Sequence, residues 1–315
     1  MATTTSVTTT YAGEFAGKYI GAALLSGNTL AQGGITIVPN VKFKQVIKRL
    51  DLDSLTANAS CDFTPTSTVT LDEKILQPKE LQVNLELCKS DFQDDWEAVQ
   101  MGYSAFDNLP PKFSDFIIAR VAEQVAQKTE QDIWAGTAGA GSFAGFSTLI
   151  STDANLPAAQ EIAGTTVTAA NVIDELGKIV DAIPNRLYGR DDLHIYVAQN
   201  IFRAYKRSLG GFQTGGIGAN GVGGQGNNQD INVLYFDGIK IFMANGLADN
   251  TAIATTKDNL YFGTGLLSDH NEVKLLDMAD IDGSKNVRMV MRYTAGVQYG
   301  FATDMVTYGI ANAAN

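Results

Sequence analysis

The longest regular pattern in the chain lies near its C-terminus, where residues 286–301 alternate apolar and polar side chains. The apolar set is Val287, Met289, Met291, Tyr293, Ala295, Val297, Tyr299 and Phe301. The intervening positions include Arg288, Arg292, Thr294 and Gln298. Alternation with a period of two is typical of a strand with one buried face. Any fold of this chain therefore has to place a long strand against an apolar core.

The strongest helical pattern lies far from that strand in sequence, at residues 112–135. Its apolar side chains recur every three or four positions, at Phe113, Phe116, Ile117, Val121, Val125 and Ile133. Pro111 favours a helix start, and at 1.5 Å per residue the helix would be on the order of 35 Å long. We expect this helix to pack on the strand at 286–301, with a second subdomain formed by the residues between them. The predicted fold class is α+β.

The residues between these two elements show a mixture of shorter patterns. Helices are predicted at 168–183 and 199–209, and strands at 193–198, 259–263 and 272–278. Asp237-Gly238 separates two apolar runs, 231–236 and 239–244, which is a strong signal for a two-residue hairpin. Nine glycines occur within residues 210–226, so we predict a flexible loop there.

Two alternating segments near the N-terminus, residues 34–50 and 81–88, predict two strands. The apolar face of the first holds Ile35, Ile37, Val41 and Phe43, and that of the second holds Leu81, Val83, Leu85 and Leu87. The simplest arrangement pairs these strands in a long two-stranded excursion. In that arrangement, lysines of the first strand could pair with Glu80 and Glu86 of the second.

The apolar face of this excursion has no obvious cover in the sequence. A lone two-stranded hairpin is marginal in water, and no helical segment lies between the two strands to shield it. We therefore predict that the face packs on another subunit. The predicted inter-subunit contacts are Val41, Phe43, Leu81, Val83, Leu85 and Leu87.

No pattern in the sequence predicts a catalytic, cofactor or metal site. The two histidines, His194 and His270, lack ligand spacing, and the GxGxxG match at residues 216–221 follows a helix instead of a strand. Asp277, Asp280 and Asp282 are expected to shape a turn before the long strand. We predict that the protein is not an enzyme and binds no cofactor or metal.

Charge and hydropathy argue against a sequence-specific nucleic-acid-binding protein, a membrane-spanning protein and a secreted protein. A net charge of −11 argues against sequence-specific nucleic-acid binding, which depends on basic residues that neutralise phosphates. No run of about 18 apolar residues predicts a membrane span, and residues 1–10 do not have the pattern of a signal peptide. Cys61 and Cys88 are expected to be free thiols, although a disulfide between them stays open.

A series of short segments in the last third of the chain resembles the major capsid proteins of tailed bacteriophages, of the Hong Kong 97 type. These segments are Asn259–Thr264, Leu266–Asp269, Val273–Asp277, Asp282–Ser284, Val287–Met289 and Ala295–Gly300. Residues 39–44 and the helix after Pro111 are similar to their counterparts in that family as well. The specificity lies in the order of the segments, since no single one is diagnostic.

The resemblance implies a Hong Kong 97-like capsid fold with named parts. These are an N-terminal arm at 1–33, an extended E-loop hairpin at 34–90, a peripheral domain with a long spine helix at 91–165, an axial domain at 166–285, and the return strand of the peripheral domain at 286–315.

The resemblance also implies a function, namely a subunit that forms hexamers and pentamers of an icosahedral shell. The shell would enclose double-stranded DNA without sequence-specific binding, would be assembled in the host cytoplasm and would become part of the virion. Portal, scaffold or decoration proteins are the expected partners. Two alternatives stay open, an encapsulin-like cellular compartment and an uncharacterised enzyme such as a hydrolase.

Overall fold

The computed structural model describes residues 10–11, 28–52, 56, 58, 61, 69–88, 111–209, 234–265, 273–281 and 283–314. Within these ranges the α-helices are α1 (Asn28–Ala31), α2 (Pro111–Ala135), α3 (Phe146–Ile150), α4 (Val172–Asp181) and α5 (Gln199–Ser208). The strands are β1 (Thr10–Tyr11), β2 (Thr36–Val38), β3 (Gln45–Leu52), β4 (Val69–Leu76), β5 (Lys79–Cys88), β6 (Glu161–Ile162), β7 (Leu193–Val197), β8 (Leu234–Phe236), β9 (Ile239–Met243), β10 (Ala252–Thr256), β11 (Leu260–Thr264), β12 (Val273–Asp277), β13 (Asn286–Tyr299) and β14 (Met305–Tyr308). The mixture of sheets and helices confirms the predicted α+β class.

The first sheet is built around β13, the long strand that the sequence predicts. One edge of β13 pairs with β5 along residues 286–295. The other edge pairs first with β12 and then with β11, and all three pairings are antiparallel. β2 runs parallel to β11, and β1 pairs with β12.

The long helix α2 covers the apolar face of this sheet, as predicted. Ile133 and Trp134, near its C-terminal end, are fully buried in the cluster that includes the apolar residues of β13. The Trp134 ring lies 5.4 Å from that of Phe146 and 5.1 Å from that of Tyr196, measured between ring centroids. Because Tyr196 belongs to β7 of the second sheet, Trp134 joins the two halves of the fold.

The second sheet has the strand order β6-β14-β10-β7-β9-β8. Helices α4 and α5 supply the apolar side chains that cover it, including Leu176, Ile179 and Phe202. The predicted hairpin at Asp237-Gly238 is confirmed between β8 and β9. Both turn residues have positive φ angles, 47° and 78°, as a two-residue hairpin of this kind requires.

The prediction of one continuous strand at residues 34–50 is wrong. The chain leaves the strand conformation at residues 39–44, where Asn40 has a φ of 64°. β2 therefore belongs to the first sheet, whereas β3 pairs with β4 in a separate two-stranded sheet, which we call the loop sheet. The predicted helix 168–183 and the predicted strand 272–278 are each shorter in the structure but lie where they were expected.

The predicted pairing of residues 34–50 with 81–88 is also wrong, because β5 pairs with β13 instead. That pairing places Leu81, Val83, Leu85 and Leu87 directly opposite Tyr293, Met291, Met289 and Val287. Directly opposite residues of an antiparallel pair share a face, so both apolar sets enter one core. Burial of both apolar sets in one core stabilises the pairing of β5 with β13.

The predicted ion pairs of Glu80 and Glu86 with lysines of the first strand are not formed. Glu86 Oε1 instead accepts a hydrogen bond of 2.8 Å from Asn286 Nδ2 and lies 3.5 Å from Arg288 Nη2. Glu80 stands opposite Thr294 on the same polar face of the first sheet.

This placement of β5 predicts that Leu85→Asp destabilises the isolated subunit. Leu85 is half-buried against the core, so a carboxylate there should cost about 2–3 kcal/mol of unfolding free energy. The neighbouring Asn84→Asp, on the exposed face, should change it by less than about 0.5 kcal/mol. Urea denaturation of both variants measures the difference, and equal unfolding free energies would show that Leu85 is not part of the core.

Candidate assembly surface

The six residues predicted to form inter-subunit contacts do not share one uncovered face. Val41 and Leu81 are only 4% and 5% exposed within their own chain. Val83, Leu85 and Leu87 pack in part against the core of the first sheet. Phe43, at 69% exposed, keeps the accessibility that the prediction requires. The expectation that the face of β5 lacks a cover within its own subunit is therefore wrong.

An uncovered apolar face does exist, but it belongs to the loop sheet. Its exposed apolar side chains are Val46 (43% exposed), Leu50 (53%), Leu71 (76%) and Ile75 (44%). Val46 stands directly opposite Ile75 and Leu50 directly opposite Leu71, with Lys48 opposite Glu73 between the two pairs. These six residues form one continuous surface, which we call the outer face.

Sequence reasoning missed this face because β4 was not recognised as a strand. The segment Val69–Leu76 alternates apolar residues with Thr70, Asp72 and Lys74, but Glu73 interrupts the apolar set. The signal that could have found the face is the recurrence of Leu71 and Ile75 at even spacing on β4, which matches Val46 and Leu50 on β3.

The opposite side of the loop sheet, its inner face, is held against the rest of the subunit. Leu76 is fully buried there. Arg49 Nη1 donates a hydrogen bond of 3.0 Å to the carbonyl oxygen of Gly300, and its guanidinium forms an ion pair with Asp72 on the neighbouring strand. The guanidinium carbon of Arg49 also lies 5.4 Å from the centroid of the Phe301 ring.

A second ion pair on the inner face joins β4 to the segment that follows α3. Lys74 Nζ lies 2.6 Å from Asp153 Oδ2 and 3.8 Å from the centroid of the Tyr299 ring, and Tyr299 Oη donates to the same carboxylate oxygen at 2.5 Å. Burial alone would raise the pKa of Asp153, but the hydrogen bonds from Lys74 and Tyr299 outweigh burial and hold that pKa well below its usual range. The carboxylate therefore stays charged at neutral pH.

The segment before β2 is fixed to the long helix by a buried polar network. Glu130 of α2 accepts hydrogen bonds from the backbone nitrogen and the hydroxyl group of Thr29, at 3.1 and 2.5 Å. Trp134 Nε1 donates to that hydroxyl oxygen at 2.7 Å. Burial raises the pKa of Glu130, and these hydrogen bonds offset the shift in part. The network therefore joins α1 to α2 through buried hydrogen bonds.

Two of the candidate residues from the sequence, His194 and Asp277, form local contacts within the fold. His194 lies in β7, with Nδ1 2.8 Å from the carbonyl oxygen of Asp192, and stacks on Tyr196. Asp277 accepts a hydrogen bond from the backbone nitrogen of Ala279, which confirms its role in the turn before β13. Within the described ranges, no three His, Cys, Asp or Glu side chains are grouped so that they could hold a metal ion. His270 and the glycine-rich loop at 210–226 lie outside the described residues.

No helix in the described part of the chain is both long enough and apolar enough to cross a membrane. No disulfide joins Cys61, which is exposed, to Cys88, which is half-buried.

The fold is shared with solved capsid structures. No protein-family model matches the sequence, and a search of curated proteins finds no match. The capsid of a native GTA particle aligns with a TM-score of 0.58 at 14% identity, covering 91% of this chain and 89% of that one. The capsid of the cyanophage P-SCSP1u aligns with a TM-score of 0.54 at 13% identity, covering 90% and 88%. The capsid of the Myoviridae phage XM1 gives 0.52 at 13% identity, covering 90% and 92%. The chain therefore has the fold of tailed-phage major capsid proteins, the Hong Kong 97-type fold.

Proposed function

We propose that this protein is the structural subunit of an icosahedral capsid, assembling through repeated contacts between identical copies. Hexamers and pentamers of the subunit form the closed shell. The fold supports this proposal, because the compared chains of the same fold come from capsids of phages and of a GTA particle. These structures favour a virion over a cellular compartment.

The observation that carries the proposal is the outer face of the loop sheet. Soluble monomers rarely expose large apolar side chains such as Leu50 and Leu71 side by side on one face of a sheet. In a shell, a neighbouring copy of the chain would cover the outer face of every subunit. Burying half-exposed leucines and isoleucines contributes about 1–2 kcal/mol each, and a closed shell repeats that contribution many times.

The acidic character of the chain fits a container for DNA. With a net charge of −11, the wall does not attract phosphates strongly, so double-stranded DNA is enclosed without sequence-specific binding. Portal, scaffold or decoration proteins complete the particle, which is assembled in the host cytoplasm. The role is structural and not enzymatic. The boundaries of the arm, E-loop, peripheral and axial parts predicted above stay predictions.

Electron microscopy and sedimentation velocity of the purified protein over a range of concentrations test the proposal. We expect ring-shaped capsomers or closed shells, and a sedimentation profile that shifts from subunits to large particles as the concentration rises. A second sample, in which the protein is co-expressed with its scaffold protein, tests whether assembly requires a scaffold. A protein that stays monomeric in both samples would refute the shell function.

A further inference from the structure

The corner between β4 and β5, where the loop sheet joins the first sheet, consists of Gln77 and Pro78. The corner lies against Gly263 of β11 and Gly296 of β13, which stand directly opposite each other. A Cβ atom on Gly296 would lie 2.8 Å from Pro78 Cα, and one on Gly263 would lie 2.9 Å from Leu76 Cδ2. At Gly296 a side chain would meet the backbone of the corner, so this position requires glycine, whereas at Gly263 the Leu76 side chain would have to move. The glycine pair forms a notch into which the corner fits.

The two strands of the loop sheet are each tied to the body beside this notch. β3 is held by Arg49, which donates to the Gly300 carbonyl and lies over Phe301. β4 is held by Lys74, through Asp153 and the Tyr299 ring. The backbone carbonyl of Ile75 also accepts a hydrogen bond of 3.1 Å from Gln298. Four of these body residues, Gln298, Tyr299, Gly300 and Phe301, lie in one short stretch at the end of β13.

The Lys74–Asp153 ion pair is more shielded from solvent than an ordinary surface ion pair, although burial also lowers the pKa of Lys74. The side chains of Lys74 and Asp153 are only 17% and 11% exposed, so solvent screens their attraction less than it would at an open surface. The aromatic ring of Tyr299 under the ammonium adds a cation–π contact, and its hydroxyl group satisfies the same carboxylate. A pair with this geometry fixes direction as well as distance.

We propose that the glycine notch, together with the Lys74–Asp153–Tyr299 and Arg49–Gly300 contacts, is a seat that holds the loop sheet at one angle on its own subunit. A two-stranded sheet attached only by its connections would pivot, because it has little core of its own. The seat holds both strands of the loop sheet against the body through their inner face. The outer face then points away from the body. A fixed angle would preorganise the outer face for contact with a neighbouring copy. This consequence for assembly rests on the proposed function.

The seat can be tested on dispersed subunits by electron–electron distance measurement between two spin labels. Cys61 and Cys88 are replaced by Ser, and labels are attached at Glu73→Cys on the outer face and Asp181→Cys at the exposed end of α4. Lys74→Met and Gly296→Ala are introduced into this background. Lys178→Met is the matched control, because it removes an ion pair of 2.9 Å, with Glu175, that does not touch the loop sheet.

We expect one narrow distance distribution in the parent and in Lys178→Met, and a broader or displaced distribution in Lys74→Met and Gly296→Ala. Circular dichroism checks that each variant is folded. If Gly296→Ala does not fold, Lys74→Met together with Asp153→Asn decides. Distributions that match the parent in the folded seat variants would overturn the proposal.

The distance measurement does not depend on shell formation, so the two proposals can fail separately. A parent protein that assembles but shows the same distances in every seat variant rejects the seat alone. A parent protein that never assembles, but whose label distances change in Lys74→Met, rejects the shell function and retains the seat.

Discussion

Replacing Leu71 by Asp is expected to stop shell assembly while leaving the subunit folded. Leu71 is 76% exposed in the subunit, so the carboxylate stays in water there and should change the unfolding free energy by less than about 0.5 kcal/mol. In a contact between copies the same carboxylate loses its water, at a cost of several kcal/mol for every contact. Sedimentation velocity measures assembly, and urea denaturation measures the stability of the subunit.

The control for this variant is Leu71→Met, which keeps an apolar side chain of similar volume and should assemble like the parent. Shells formed by Leu71→Asp at the parent's concentration would show that the outer face makes no contact between copies. If Leu71→Asp also lowered the unfolding free energy of the subunit by several kcal/mol, the failure to assemble would follow from unfolding, and Leu71 would act within its own chain.

Replacing Trp134 by Ala is expected to be among the most destabilising single changes within the subunit. The side chain is fully buried, packs on Phe146 and Tyr196, and donates a hydrogen bond to Thr29. Its removal leaves a cavity between the long helix and the second sheet and should cost about 3–5 kcal/mol of unfolding free energy. Urea or thermal denaturation of the unassembled subunit measures this loss.

Trp134→Phe separates the two contributions of the side chain. It keeps most of the ring contacts and removes the N–H donor, so it should cost about 1–2 kcal/mol. A loss under about 1 kcal/mol for Trp134→Ala would mean that the helix and the second sheet are joined by other contacts.

The elements with a long and unambiguous period could be predicted from the sequence. Residues 286–301 and 112–135 repeat their apolar positions often enough to fix both the type of element and the buried face, and the structure has β13 and α2 there. The turn at Asp237-Gly238 could be predicted because few residues adopt two successive positive φ angles.

Strand partners and fully buried strands could not be predicted in the same way. A period of two shows which side chains share a face, but it does not show which strand lies alongside, so β5 was assigned to the wrong partner. The strand β10 was missed because all five of its residues are buried, which leaves no alternation to detect. β14, whose four residues are also all buried, was missed as well.

The structure exposes an apolar surface at other residues than most of those predicted. The alternation of the N-terminal strands predicted an apolar face without a cover in its own subunit, and the contact of such a face with another subunit stays a prediction. The structure assigns the covered part to β5 and the uncovered part to the loop sheet. The distinction depends on the ten-residue pairing between β5 and β13, a contact between segments about 200 residues apart that no local pattern records.

A cryo-electron microscopy reconstruction of the assembled particle would show whether the outer face is a contact between copies. We expect side chains of a neighbouring copy to cover Leu50 and Leu71 on every loop sheet. A closed shell in which these leucines face solvent would show that the outer face has no role in assembly.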